Sequence, residues 1–102
     1  MQRGLKRRNY FIFVAVEDRE IVGTITVHLR GRTKGSIDDA YVKPAFRRRG
    51  VIRALEERAV QLLREHGAST AEFNVRADNE EGMGTWPVLG YEPYKIVMKK
   101  RI

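Results

Sequence analysis

The segment Val42-Lys43-Pro44-Ala45-Phe46-Arg47-Arg48-Arg49-Gly50-Val51-Ile52 offers the clearest chemistry in the chain. It joins the end of an extended run to the start of a helical one. The first turn of a helix leaves backbone N–H groups unpaired, and the macrodipole makes that end partly positive. Together these make a site for an anion, phosphate above all. Gly50 lets the backbone approach a ligand closely or adopt a positive φ, and three arginines add charge and two-pronged donors. The same residues also read as a basic, solvent-facing loop ahead of a helix, and taken alone they leave the two readings level.

Few other residues compete for a chemical role. The chain has no cysteine, which removes disulfides, thiolate metal sites and cysteine nucleophiles together and fits a reducing, cytoplasmic setting. His28 falls on the polar parity of its strand and His66 in a helical last turn, so both read as structural, and no metal constellation is expected. Asp38 and Asp39 stand in one strand on opposite parities, each open to a salt bridge with one of the many arginines.

The elements that must position these residues follow from periodicity. Tyr10–Val16 is apolar and aromatic and predicts a buried strand. Residues 21–29 alternate, with Ile21, Ile25, Val27 and Leu29 on one parity and Thr24, Thr26 and His28 on the other, so the short turn between the runs predicts a hairpin. Residues 36–42 predict a third strand, ended by Pro44. Residues 51–66 have helical period, with Ile52, Leu55, Ala59 and Leu62 in one stripe and Gly67 as the stop. A fourth strand is expected over 70–76, one helical turn over 85–89, and a last strand over 93–100. The strand–helix–strand unit 36–76 requires its two strands to be parallel, and the other pairs should be antiparallel. The expected fold is α+β: one mixed, mostly antiparallel sheet with one crossover helix and a short second helix.

The whole is 102 residues and 11.8 kDa, 42% hydrophobic and 32% charged, which is the size and composition of one folded domain. No run approaches the roughly 18 apolar residues that span a bilayer. Met1–Asn9 is basic and carries no cleavage-site pattern, so no signal peptide is expected. The net charge of +7 favours anionic partners: nucleic acid, phosphorylated cofactors or acidic surfaces. A nucleic-acid interface ranks last, because the stacked aromatics of an RNA-binding sheet are not evident.

Several motifs in order resemble the GNAT superfamily of acyl-CoA-dependent N-acetyltransferases. Val42-Lys43-Pro44 followed by Arg47-Arg48-Arg49-Gly50-Val51 is similar to its V-x-P strand end and R/Q-x-x-G-x-G/A helix start, with Ile52 where the family usually has Gly or Ala. The strand ending Val75-Arg76-Ala77-Asp78-Asn79 and the run Trp86-Pro87-Val88-Leu89-Gly90-Tyr91 resemble the later motifs. The resemblance covers about nine-tenths of the chain and implies acetyl transfer from acetyl-CoA to a primary amine, on a small molecule or a peptide, by direct attack. It implies that Arg47, Arg48, Arg49, Gly50, Val51 and Ile52 hold the pyrophosphate. Tyr41, Val42 and Lys43 would then lie along the pantetheine, with Asn79 and Trp86 also against the cofactor. Asp38, of the same parity as Val42, is the candidate base, and Asn74 positions the amine or a water. The alternative is a non-catalytic CoA-binding module of the same fold.

Against the family pattern, only nine residues precede the strand at Tyr10, so the expected domain, 1–102, lacks the usual N-terminal strand and helices. The closing motif puts Trp86 where a tyrosine often serves as the acid, and indole cannot supply a proton near neutral pH. Tyr91 and Tyr94 remain as substitutes. With no strand expected beside it, Tyr10–Val16 would form an apolar sheet edge and favour a homodimer.

Overall fold

The computed structural model describes residues 2–7 and 9–102 of the chain. Five strands form one sheet in sequence order: β1 (Gln2–Arg7), β2 (Tyr10–Glu17), β3 (Glu20–Arg30), β4 (Lys34–Val42) and β5 (Thr70–Phe73). The pairs β1–β2, β2–β3 and β3–β4 are antiparallel. Helix α1 (Val51–Glu65) carries the chain from β4 to β5, and these two strands are parallel. A second helix, α2 (Glu80–Val88), follows β5. The expected α+β class and mixed sheet are therefore observed.

The alternating strands set the core. Phe11 and Phe13 of β2, Ile25 and Val27 of β3, and Ile37 of β4 turn to the same face and meet Leu55, Ala59 and Leu63 of α1, with Trp86 of α2 completing the cluster. Ile25, Val27, Ile37 and Leu55 are fully buried, each contributing about 1.5–3 kcal/mol relative to exposure. The helix lies directly on the sheet, because a Cβ at Gly35 would come within 2.3 Å of Leu63 Cδ2. The buried stripe thus runs through Leu63, with Ile52 and Leu62 only half-buried.

Four expectations are corrected. Residues 2–7 form β1 and pair along β2 from Gln2↔Ala15 to Arg7↔Tyr10, so a strand does precede Tyr10 and covers the edge it was expected to leave open. The charged residues there suppressed the apolar signal, but an outer strand needs only ladder hydrogen bonds, which any non-proline backbone supplies. β5 stops at Phe73, three residues short of Arg76, because the parallel ladder ends at Ile37↔Phe73, next to a bulge in β4. α2 is nine residues long where one turn was expected. The Asn79 Oδ1 accepts from the Gly82 N–H at 3.0 Å, and Glu80 and Glu81 occupy the first turn, where acids suit the dipole, so capping outweighs two glycines. Residues 93–100 form no strand. Tyr94, Ile96, Val97 and Met98 are 74–86% exposed, and the segment joins no ladder of the sheet.

Candidate active site

The end of the β4–β5 ladder creates the site. Past Ile37↔Phe73 the two strands no longer pair, and the chain after Phe73 leaves toward α2. Between β4 and α2 opens a cleft of about 590 Å³. One wall is Ala40, Tyr41 and Val42 of β4. The other is Asn79 to Trp86, including Gly82 and Thr85. The floor of the turn, Phe46 to Ile52, closes one end.

The turn is built to expose backbone. Pro44–Phe46 makes a single 3₁₀ turn. Arg48 then takes φ 62° and Gly50 φ 82°. The first conformation costs a non-glycine residue about 1–2 kcal/mol, and strain of this kind gathers at ligand clamps. Gly50 is the N-cap of α1, no side chain caps that helix, and no acid lies in its first turn. The first backbone bond of the helix runs from the Ala54 N–H to the Gly50 carbonyl at 3.0 Å. The amides ahead of Ala54 therefore face the cleft end where Arg47 and Arg48 also lie.

Of the residues singled out from the sequence, Tyr41, Val42, Arg47, Arg48, Gly50, Val51, Ile52, Asn79 and Trp86 line this cleft together. Lys43 and Arg49 do not. Lys43 Nζ is ion-paired to Glu20 Oε2, and Arg49 Nη2 to Glu17 Oε1 at 3.1 Å, both outside the cleft. The Arg49 guanidinium also sits 5.0 Å over the Phe46 ring. Arg47 Nε donates to the Val42 carbonyl at 2.8 Å, and Arg47 Nη1 lies 3.5 Å from Glu81 Oε1, bridging the turn to α2. Glu80 and Glu81 as part of the wall were missed. An Asn followed by two acids was a helix-start signal that could have found them.

Trp86 is buried, stacked at 3.8 Å between ring centroids on Phe73, and meets Tyr91 edge-on at 5.2 Å. Its place is the core side of the cleft wall. The Tyr91 hydroxyl donates to Glu56 Oε2 at 2.8 Å. Burial, with the Glu56 carboxylate beside it, holds that phenol protonated far above its ordinary range, so Tyr91 is a poor acid here. Tyr94 is exposed in the C-terminal segment. Asn74 is exposed just past β5 and Asp38 lies on β4, neither of them in the cleft lining. Asp38 is held by His28, Arg30 and Ser36.

Solved structures share this architecture. The fold superposes on the aminoglycoside N-acetyltransferase AAC(6')-Iy in complex with CoA at a TM-score of 0.87 and 19% identity, covering 94% of this chain and 78% of that one. An aminoglycoside acetyltransferase, meta-AAC0020, from an uncultured soil metagenomic sample in complex with sisomicin gives 0.83 at 18% identity, covering 96% and 69%. A tetramutant of the BH1408 protein from Bacillus halodurans gives 0.82 at 23%, covering 92% and 67%. These likenesses establish the fold. In sequence, the model of the Acetyltransferase (GNAT) family, whose members use acetyl-CoA as co-substrate, matches residues 2–91. With the motifs, the splayed strands and the uncapped helix all in register, the chain belongs to the GNAT acetyltransferase family.

Proposed function

We propose that the protein transfers the acetyl group of acetyl-CoA to a primary amine by direct attack, with no covalent enzyme intermediate. The observation that carries this reading is the cleft between β4 and α2, past the end of the β4–β5 ladder and closed at one end by the uncapped N-terminus of α1. The pyrophosphate would lie on the amides of Val51 and Ile52, with Arg47 and Arg48 beside it. Pantetheine would run along Tyr41 and Val42 and place the thioester toward the bulged part of β4. Direct attack then needs positioning, a donor for the developing oxyanion and removal of an ammonium proton. Calorimetric titration with CoA, followed by thiol release from acetyl-CoA over an amine series of sisomicin, spermidine and a lysine peptide, tests the reading. Binding with acceptor-dependent release is the expected result, and no binding would sink it.

A second reading has an observation of its own. Trp86 stands at the closing-motif position and the Tyr91 hydroxyl is committed to Glu56, so neither closing-motif residue supplies a free phenol as an acid. CoA binding without release over the same series would favour a non-catalytic CoA-binding module.

We also propose that the protein pairs with a second copy. The edge first expected to drive this is covered by β1, but β5 is an outer strand, and the apolar Tyr94, Ile96, Val97 and Met98 are exposed in the segment whose Lys95 Nζ lies 3.6 Å from Glu72 Oε1 of β5.

A further inference from the structure

On the sheet face turned away from α1, five side chains from three strands meet. Tyr10 of β2 stands opposite His28 of β3, which stands opposite Ser36 of β4. His28 Nδ1 contacts Asp38 Oδ2. Ser36 Oγ donates to Asp38 Oδ1 at 3.1 Å, Arg30 Nε donates to Ser36 Oγ at 2.9 Å, and Arg30 Nη2 lies 3.4 Å from Asp38 Oδ1. The Tyr10 ring leans on the imidazole at 4.6 Å. Strand alternation brings this about: Ser36 pairs with His28, and Asp38, two residues on, shares its face. Thr26 pairs with Asp39 and Val27 with Ile37, so Asp38 is also the extra residue of the β4 bulge.

We infer that His28, oriented by Asp38, takes the proton from the acceptor amine; the inference rests on acetyl transfer as proposed above. Asp38 has its two oxygens occupied by donors from three side chains, so a proton arriving there would displace one of them. An imidazole facing a carboxylate through Nδ1 donates from that nitrogen, which leaves the lone pair of the neutral ring on Nε2. Among the described residues nothing holds Nε2, and the His28 side chain is 30% exposed. Asp38 is a positioning residue: it sets the tautomer and balances the imidazolium that forms. His28 lies three residues along β3 from Ile25, the partner of Ala40 where the cleft begins, about 10 Å along a strand. The acceptor amine, with one water, would bridge that span to the imidazole. The charged and titratable groups around the ring are Asp38 and the exposed Asp39 of β4, Arg30 of β3 and Tyr10 of β2.

The step balances as follows. The ammonium gives one proton to His28 Nε2, which later passes it to solvent. The freed nitrogen pair forms the C–N bond, and the carbonyl π pair moves to oxygen. Collapse restores C=O and breaks C–S, and the thiolate takes the second nitrogen proton to leave as CoA thiol.

Thiol release from acetyl-CoA, with sisomicin, spermidine and a lysine peptide as acceptors, is measured from pH 5.5 to 9 on wild type, His28→Gln, Asp38→Asn and His66→Gln, alongside CoA titration of each. His28→Gln should lower kcat by roughly 10²–10⁴-fold, flatten the rise with pH and leave CoA affinity unchanged. Asp38→Asn should lower kcat less and shift the limb, and exposed His66→Gln should match wild type. The chain has two histidines, so in His66→Gln protein diethyl pyrocarbonate can modify only the His28 imidazole. Loss of transfer there with CoA binding intact gives the same answer if His28→Gln misfolds. Unchanged kcat in His28→Gln or in the modified protein, or a larger loss in Asp38→Asn than in His28→Gln, overturns the inference while leaving acetyl transfer standing. Wild type that releases no thiol overturns both.

Discussion

Arg47 links the two walls of the cleft: it donates to the Val42 carbonyl and bridges to Glu81 on α2. Both members of that ion pair are substantially exposed, so the pair itself contributes little to stability. A bound pyrophosphate would compete with Glu81 for the guanidinium. Glu81→Gln should therefore tighten CoA binding, by about 2- to 5-fold at low salt given the small worth of exposed pairs, a change that calorimetry resolves. Gly50→Asp acts in the opposite sense. It places a carboxylate at the mouth of the uncapped helix and in a left-handed conformation that disfavours a side chain. CoA affinity should fall at least tenfold by the same titration, and equal affinity would remove the anion site from the turn.

Trp86 and Tyr91 show how a residue type can be right for chemistry and still be used for packing. Trp86 is stacked on Phe73, and the Tyr91 hydroxyl satisfies a buried Glu56. Tyr91→Phe leaves that carboxylate without its donor and should destabilise the fold by about 1–3 kcal/mol, read by urea unfolding. The pH dependence has a definite sign. The phenol of the unfolded chain ionises near its ordinary value of 10.0, whereas in the folded protein burial and Glu56 hold it protonated to higher pH. The stabilisation is complete below that value and is lost as pH rises through it, because the unfolded chain then sheds the proton first. Melting temperature should drop between pH 10 and 11 more steeply in wild type than in Tyr91→Phe.

At the scale of elements, the site depends on a ladder that stops. β4 and β5 pair over only four residues, and the bulge at Asp38 coincides with the end of their pairing. α1 must then sit close to the sheet to hold its own N-terminus at the cleft, and Gly35 under Leu63 permits that approach. Gly35→Ala would force α1 outward, since the added methyl would overlap Leu63. Overpacking of this kind costs about 1–3 kcal/mol. Chemical unfolding measures that loss, and CoA affinity should weaken with it, because the helix start moves. A variant as stable as wild type would mean that α1 is not held by this contact.

For the whole molecule, the net charge of +7 and the acid-free first turn of α1 make association with an anionic ligand salt-sensitive. The C-terminal segment bears on assembly. Ile96, Val97 and Met98 are exposed beside a sheet whose outer strand β5 has one open edge. Light scattering at micromolar concentration should give twice the 11.8 kDa chain mass. Ile96→Lys with Val97→Lys should return it to one chain, and a monomeric wild type would refute the pairing.

The sequence by itself determined the hairpin, the crossover helix and the strand-to-helix turn. These rest on local rules: alternation in residues 21–29, a 3.6-residue stripe through Leu55 and Ala59, and proline and glycine at Pro44 and Gly50. Nine of the eleven residues that the family resemblance implies for the cofactor meet in one cleft. Tertiary structure alone decided the rest. β1 exists because a neighbour offers a ladder, something its charged residues do not announce. Residues 93–100 have strand composition but no partner, so they form none. Asp38 shares the parity of Val42 on paper, yet a one-residue bulge at Asp38 reverses that parity, and strand pairing brings Asp38 to His28, ten residues away in sequence. Whether the carboxylate stands alone or orients an imidazole depends on strand register, which no local pattern encodes.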